Sequence, residues 1–353
     1  MAGVTAKDIA QKLGLSPAAV SLALNGKPGV SDNTRALVLE AAMQMGYCKG
    51  EAAALSHGHR TICFIRYAGT IVNIAEHTSF SSFVLQGVES RAAELGYSTQ
   101  VRYHHIGDLY NPQTLELIRK ADGIIFLGTD ITRAQLPEIE QFLQSLQQTP
   151  VVIVDCFLLS GRVDCVGNDS FGGARSAGEH LLKTGHRTIG YVRAKQRIRS
   201  LLDRELGIRA ALEEEGRTLS AVVDVDISSE GAFQDFDRWI KTGPRLPDAL
   251  FAENDIIAAA VIRVLKKHGY HVPNDISVVG FDDIPMCEML DPPLSTVHCF
   301  KEDLGSIAVD LLHRRMETDI IAHQSPLIGT VTTTLSTRFV PRFSVKNREQ
   351  NHA

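Results

Sequence analysis

The sequence predicts two kinds of fold in one chain: an N-terminal all-α helix-turn-helix, followed by a core of two doubly wound α/β lobes with parallel sheets. Three observations lead to this prediction. Two short helical patterns lie only a few residues apart near the amino end. From residue 61 onward, short apolar runs alternate with helical segments of about 10–15 residues, as in parallel sheets with helical crossovers. That alternation restarts near Val163, which indicates two lobes.

The composition is that of a globular chain with room for more than one domain. The 353 residues are 44% apolar and 22% charged, which excludes intrinsic disorder, collagen and coiled coil as the main state. No apolar run reaches the roughly 18 residues of a membrane helix. The amino end is polar and helix-like, so we expect no signal peptide there. The six cysteines form no C-x-x-C pair, which favours a reduced compartment. We therefore expect a cytoplasmic protein that does not bind membranes.

Charge is distributed unevenly along the chain. Residues 1–60 hold six Lys and Arg against four Asp and Glu, a net charge of +2. The remainder holds 30 against 37, a net charge of −7. A mildly basic head on an acidic body permits nucleic-acid binding at the head.

The first sixty residues predict three short helices. Thr5 is placed to cap the first helix, which Gly14 ends. Ser16 caps the second, with Pro17 in its first turn, where a missing N–H costs nothing. A third helix runs from Ser31 to Met45. Its predicted inward stripe is Leu37, Val38, Ala41, Ala42 and Met45.

The predicted outward face of the second helix includes an apolar residue, Leu22. With Val20 and Leu24 inward, the residues that point outward are Pro17, Ala18, Ser21, Leu22 and Asn25. An exposed Leu22 is costly unless it meets an apolar group, and thymine methyls in a DNA major groove supply one. The alternative, two helices that merely pack together, stays open at this point.

Several short motifs between residues 4 and 47 carry a family resemblance. They are Val4-Thr5-Ala6-Lys7-Asp8-Ile9-Ala10, Gly14-Leu15-Ser16, Val20-Ser21, Leu24-Asn25-Gly26, Val30-Ser31, Thr34-Arg35 and Gly46-Tyr47. Together they resemble the DNA-binding headpiece of lactose-repressor-type (LacI/GalR) transcription regulators. By this resemblance residues 1–47 are a helix-turn-helix domain.

The resemblance assigns roles in DNA binding. It implies that Pro17, Ala18 and Leu22 read bases. It also implies that Thr5, Ser16, Ser21 and Asn25 contact the phosphate backbone. Relatives commonly carry Arg where this chain has Leu22. Because leucine cannot read guanine as a guanidinium does, we expect more A·T at that step.

Residues 48–60 are expected to form a linker or hinge. In the family this segment holds a short helix that enters the minor groove, and Leu55 could act there as an apolar wedge. The family's Pro and Asn are absent from Tyr47-Cys48-Lys49-Gly50. A flexible tether without a wedge is the open alternative.

The body repeats strand and helix. The predicted strands are 62–65, 97–101, 123–127, 151–154, 163–166, 188–192, 221–225, 249–252 and 277–281, and the helices are 82–94, 112–119, 136–146, 171–184, 203–215, 230–241 and 255–268. Such sheets bind ligands beyond the carboxyl ends of their strands. Two facing lobes make that place a cleft.

The resemblance continues through residues 61–345. It is carried by Thr184-Gly185-His186-Arg187-Thr188-Ile189, Arg204-Glu205-Leu206-Gly207-Ile208-Arg209, Asp248 to Asp255, Pro273 to Ile284 and Pro292 to Val297. It implies a two-lobed effector-binding and dimerisation core, similar to periplasmic sugar-binding proteins. The chain would cross between lobes three times. The resemblance places 61–160 and 292–320 in the lobe nearer the DNA, called the near lobe. It places 161–291 and 321–345 in the other lobe, called the far lobe, and 346–353 in a tail.

Four residues are candidates for holding the effector. Arg204 matches the family's effector-binding arginine. Asp282, Asn254 and Asp169 each follow a predicted strand, where the cleft should lie. Such an Asp, Asn and Arg set suits a polyhydroxylated ligand, because it offers paired acceptors and donors. The alternative is that Asn254 and Asp255 merely cap the next helix.

The sequence therefore predicts a transcription regulator, a repressor, that binds a pseudo-palindromic operator in double-stranded DNA as a homodimer. A small effector, a carbohydrate or nucleoside-like molecule, would bind between the lobes. No phosphate-loop motif or nucleophile elbow occurs, so we expect no catalytic residue, cofactor or metal. The alternatives left open are a solute-binding protein and an α/β hydrolase such as a nucleosidase.

Overall fold

A computed structural model describes residues 6–24, 29–31, 34–35, 37–38, 41, 60–67, 78–146, 149–158, 163–321 and 329–348. The chain divides into two compact units, residues 1–62 with 89–100 and residues 63–88 with 101–353. The amino-terminal helices belong to the first unit and nearly all of the α/β body to the second. None of the helices in the described part of the chain combines the length and the hydrophobicity of a membrane span.

The amino-terminal helices are α1 (Ala6–Leu13) and α2 (Pro17–Leu24). Gly14 ends α1 with a positive φ of 62°, a conformation that glycine adopts without strain. Ser16 caps α2, because its Oγ accepts a hydrogen bond from the Ala19 N–H at 3.1 Å. The core of this unit contains Ile9, Ala10, Val20, Ala23, Val38 and Ala41. The tight turn between two packed helices is the predicted helix-turn-helix.

The third helical segment differs from its prediction at one position. Residues 34–35, 37–38 and 41 are helical, and the Ser31 Oγ accepts a hydrogen bond from the Thr34 N–H at 3.2 Å. Val38 and Ala41 are buried, but Leu37 is 52% exposed. The inward stripe was therefore wrong at Leu37, because the spacing of Val38 and Ala41 turns the buried face away from it.

The larger sheet belongs to the lobe that we call the near lobe. Its strands are β1 (Thr61–Tyr67), β2 (Ser98–His104), β3 (Gly123–Leu127), β4 (Val151–Val154), β5 (Asp164–Asn168) and β11 (Thr332–Leu335), in the order β11-β5-β4-β3-β1-β2. The register is parallel from β3 to β11. The helices of this lobe are α3 (Thr78–Glu94), α4 (Ile106–Leu109), α5 (Pro112–Arg119), α6 (Leu136–Ser145) and α12 (Lys301–Ile321). Phe126, Phe142 and Ile153 lie in its core.

The smaller sheet belongs to the far lobe. Its strands are β6 (Ile189–Ala194), β7 (Ala221–Val225), β8 (Ala249–Ala252) and β9 (Ser277–Val279), all parallel, in the order β7-β6-β8-β9. Its helices are α7 (Ser170–Lys183), α8 (Arg199–Glu214), α9 (Ser229–Lys241), α10 (Asp255–Lys267) and α11 (Met286–Met289). An antiparallel pair, β10 (Thr296–His298) and β12 (Arg338–Val340), adjoins β9 and the segment after it through two parallel bridges, Val279 with Ser295 and Asp282 with His298.

The lobe boundaries differ from the expected ones at three strands. β5 and β11 were assigned to the far lobe, but both pair with the larger sheet. β10 was assigned to the near lobe, but it lies beside β9. The chain therefore crosses just after Asn168, just before Lys301 and just after Leu335. The apolar pattern predicts a strand but cannot predict its partner, which depends on backbone pairing with a distant segment.

Candidate DNA-facing helix and ligand cleft

The outer face of α2 is open to solvent. Ser16, Pro17, Ala18 and Ser21 are exposed, whereas Val20 is fully buried beneath them. The exposed side chains are small or polar. A helix with such a face can approach the base edges of a major groove closely.

Leu22 is less exposed than the spacing predicts. Its side chain is half-buried, and a Cβ added to Gly29 would lie 3.1 Å from the Leu22 Cδ1. The chain itself therefore covers part of this leucine, which weakens the argument that it needs a thymine partner. Three other candidates, Thr5, Asn25 and Leu55, lie outside the described residues, as does the linker from 48 to 59.

Arg204 is the centre of the second candidate site. It lies in the second turn of α8 and is only 5% exposed. Its Nη2 donates to the Asp282 Oδ1 at 2.8 Å, and its Nη1 donates to the Glu253 backbone oxygen at 2.6 Å. The guanidinium also stacks 3.8 Å above the centre of the Phe281 ring. Two of the four predicted effector residues, Arg204 and Asp282, are thus in contact.

Asp155 joins this cluster from the other lobe. It follows β4 directly and adopts a positive φ of 59°. Burial raises the pKa of its carboxyl to about 7, with Arg204 opposing the rise and Asp282 adding to it. Asp155 was not among the predicted effector residues, although it follows an apolar strand just as Asp282 does. The cluster therefore takes carboxylates from both lobes, at the carboxyl ends of their strands.

Asn254 and Asp169 serve as helix caps. The Asn254 Oδ1 accepts from the Ile257 N–H, and the Asp169 Oδ1 accepts from the Gly172 N–H, both at 2.8 Å. For Asn254 the capping alternative therefore describes its bonding here. These capping bonds do not connect Asn254 or Asp169 to Arg204 or Asp282.

The Asp255 carboxylate binds two segments distant in the sequence rather than capping its helix. Its carboxylate accepts from the Thr296 Oγ1 at 2.6 Å and from the Ile284 N–H at 3.0 Å. Burial raises its pKa to about 7, and the charge of Asp282 adds to that rise. The residue holds the segment after β9, and thereby Asp282, beside α10.

Glu253 fixes the loop that follows β6. It is fully buried and accepts from the Tyr191 hydroxyl at 2.8 Å, the Ala194 N–H at 2.6 Å and the Arg197 Nη1 at 2.6 Å. Burial raises its pKa, with Arg197 as the main opposing charge. Because the Glu253 backbone oxygen also binds Arg204, this network orients the arginine of the cleft.

Several buried polar atoms around the strand ends have no hydrogen-bond partner among the described residues. They are the Asn168 Oδ1 and Nδ2 at the end of β5, the Gln196 Oε1 just after β6, and the Arg204 Nε. Buried polar groups are nearly always satisfied by protein, water or a ligand. These atoms offer donors and acceptors to a polar molecule. Among the described residues no group of three His, Cys, Asp or Glu could hold a metal ion.

Comparison with known proteins gives a consistent picture. Residues 5–49 match bacterial regulatory proteins of the lacI family, and residues 179–345 match a periplasmic binding protein-like domain. The HTH-type transcriptional repressor PurR of Haemophilus influenzae is 29% identical over 316 residues, 88% of this chain and 91% of that protein.

Solved structures agree on the fold. The lac repressor dimer bound to operator and an anti-inducer covers 98% of this chain and 100% of its own, at 23% identity and a TM-score of 0.67. A LacI family transcriptional regulator from Enterococcus faecium with bound ribose covers 82% of this chain and 99% of its own. Its identity is 26% and its TM-score 0.66.

Proposed function

Because the chain belongs to the LacI/GalR family of bacterial transcription regulators, we propose that it is a sequence-specific DNA-binding repressor, not an enzyme, that acts in the cytoplasm. In this proposal α2 enters the major groove, and a small molecule bound between the lobes controls DNA binding. The observation that carries the proposal is the solvent-facing side of α2, formed by Pro17, Ala18 and Ser21 over the buried Val20. A helix-turn-helix built only for packing would bury that side.

The proposed operator is pseudo-palindromic and is bound by a homodimer. The similar lac repressor structure is a dimer on its operator. Two copies related by a two-fold axis present two recognition helices to two half-sites. We propose that the DNA backbone is contacted by Thr5, Ser16, Ser21 and Asn25. We also propose that Leu55 contacts the minor groove.

The proposed effector is an uncharged polyol, such as a sugar or nucleoside. Asp155 and Asp282 place two carboxylates beside one guanidinium, that of Arg204. Hydroxyl groups can donate to the Asp282 carboxylate and to the Asp155 carboxyl, whereas a phosphate would meet the negative charge of Asp282. The unpartnered amide of Asn168 adds a donor and an acceptor. Asp169 and Asn254 remain proposed contacts of lower rank, because helix caps already use their oxygens.

The DNA-binding part is tested with Ser21→Asp. Palindromic operators are first selected from random duplexes with the full-length protein, and affinity is then measured by fluorescence anisotropy at fixed salt. We expect Ser21→Asp to weaken binding by about 10- to 100-fold, since it sets a negative charge against the DNA. Ser176→Asp, an exposed serine on α7, is the matched control and should bind like the wild type. Equal affinities of the two variants would refute the role of α2.

The effector part is tested by thermal shift with ribose, other sugars and nucleosides, each paired with its phosphorylated form. A ligand at about 100 times its Kd should add about 2.7 kcal/mol to stability. The proposal expects a shift with an uncharged member and none with its phosphate. A shift seen with the phosphate alone would overturn the inferred ligand class.

The position of Asp155, directly after β4 in the cleft, favours a second candidate, a hydrolase acting in the same cleft. A carboxyl group with a pKa of about 7, such as that of Asp155, is suited to general acid–base chemistry. Incubating the protein with nucleosides and glycosides, and following release of free sugar, separates the two. The repressor proposal expects no turnover beyond that of an Asp155→Asn variant.

A further inference from the structure

Lys301 is an unusual lysine at the start of α12. Its side chain is only 2% exposed, although lysine is rarely so buried unless it is paired. No carboxylate of the described residues forms an ion pair with it. Because α12 packs against β3, β4 and β5, this lysine belongs to the near lobe.

Its ammonium group is instead satisfied by backbone oxygens. Nζ donates to the carbonyls of Asp282 at 2.6 Å, Cys299 at 3.0 Å and Asp283 at 3.3 Å. An ammonium has three N–H groups, and here three acceptors take them. Two of those acceptors lie in the loop after β9, which belongs to the far lobe. Lys301 therefore bonds across the boundary between the lobes.

That loop is held rigidly from both sides. Asp282 and Asp283 adopt positive φ values of 106° and 54°, which cost energy for residues other than glycine. Arg204 binds the Asp282 carboxylate, and Arg342 binds the Asp283 carboxylate, each at 2.8 Å. The carboxylate of Asp282 thus contacts Arg204 in the cleft, and its backbone carbonyl accepts a hydrogen bond from Lys301, the first residue of α12.

A shift of α12 would also move α3, a second helix of the near lobe, because the two are closely packed. A Cβ added to Gly87 of α3 would lie 1.9 Å from the Glu302 backbone oxygen. One added to Gly305 would lie 2.1 Å from the backbone oxygen of Val84. The two helices are therefore in direct backbone contact, and neither can shift far without the other.

We propose that Lys301 is a positioning residue that ties the effector-binding loop of the far lobe to α12 of the near lobe. A ligand that moves Asp282 then moves α12 and α3 with it, which couples the cleft to the rest of the near lobe. Lys301 itself touches no ligand. This inference rests on the proposed function, since it concerns how the same cleft is connected to DNA binding.

The test measures the distance between the lobes with neither DNA nor ligand present. Spin labels are attached at Gln141→Cys on α6 and Lys183→Cys on α7, both exposed positions. Cys48 is replaced by serine, and the five described cysteines are buried. We expect Lys301→Met to broaden the distance distribution at least about twofold, because the loop loses its tie. Lys301→Arg, which keeps a cation and donors, should remain narrow.

Lys266→Met is the matched control. Lys266 is an exposed lysine of the far lobe that pairs with the exposed Asp291 at 3.2 Å, so its variant should keep the wild-type distribution. A folded Lys301→Met protein with the wild-type width would overturn the proposal. Equal broadening in Lys266→Met would overturn it as well.

Two further measurements guard against misinterpretation. Loss of the tie should speed hydrogen exchange in both 280–284 and 78–88, whereas a simple packing defect should affect only the first turn of α12. If Lys301→Met does not fold, Lys301→Gln takes its place, and a wild-type width there overturns the proposal too. If the wild type fails to bind operator but Lys301→Met still broadens the distance distribution, the role of Lys301 stands and the repressor proposal fails. The two failures are therefore distinguishable.

Discussion

The amino-terminal helices and the cleft carry their functional groups in opposite ways. On α2 the candidates are uncharged and mostly exposed, and they lie within a few residues of one another along the chain. In the cleft the groups that meet are charged and buried or half-buried, and they come from positions as distant as Asp155 and Asp282. A surface helix can change its residues with little effect on folding. The cleft is more constrained, because the contact between Arg204 and Asp282 also holds the loop after β9.

The largest expected effect is on stability, from Glu253→Ala in the body. The substitution leaves Arg197, the Tyr191 hydroxyl and the Ala194 N–H without their common partner. Breaking a buried ion pair in this way costs about 3–5 kcal/mol. Denaturant unfolding measures it.

Glu116→Ala is the control for that measurement. Glu116 pairs with Lys120 at 3.0 Å, and both side chains are mostly exposed. Such a surface pair is worth roughly 0–1 kcal/mol. If the two variants unfold at the same denaturant concentration, the contrast between buried and exposed charge does not hold for this protein.

A smaller effect is expected from Val20→Ala in the helix-turn-helix. Val20 is fully buried beneath the exposed face of α2, and its loss should cost about 2 kcal/mol through lost burial and a cavity. Operator affinity should fall while the ligand-induced thermal shift of the body stays intact. Val222→Ala, at a valine that is 37% exposed, is the control. Loss of the ligand response in Val20→Ala would contradict the separation of the two regions.

A further expected effect, a pH dependence, belongs to the body alone. The folded-state pKa of Asp155 is about 7, above the roughly 3.9 of an unfolded chain. A raised pKa means that the folded state binds the proton more tightly. Stability from this group is therefore complete below about pH 4 and is lost as pH rises through 7.

Asp155→Asn tests that dependence, because asparagine mimics the protonated acid. The variant should match the wild type near pH 4 and exceed it by up to roughly 4 kcal/mol at pH 8. Chemical denaturation across this pH range measures the difference. A wild type that gains stability relative to Asp155→Asn as pH rises would show that the sign is wrong.

The sequence predicted the helices better than it predicted their assembly. Ser16 and Pro17 are local signals, and the structure begins α2 at Pro17 with Ser16 as its cap. The alternating pattern likewise predicted parallel sheets in two lobes. Lobe membership failed at β5, β10 and β11, because the partner of a strand depends on chain segments far away.

The cleft shows the same limit. Arg204 was identified by resemblance, and its contact with Asp282 is present. Asp155 follows an apolar strand as Asp282 does, but many strands end in acidic residues, and only the fold selects those that meet. Lys301 carried no signal in the sequence, since a buried lysine and a surface lysine look alike until packing is known.

Operator release in wild type and Arg204→Ala shows most directly whether the cleft controls DNA binding. Operator affinity is measured by anisotropy while ribose, or another sugar that stabilises the protein, is added. We expect both proteins to bind operator in its absence, and we expect Arg204→Ala to need about 100-fold more sugar than the wild type for operator release. If operator binding and ligand response disappear together, or if both persist unchanged, Arg204 does not hold the effector.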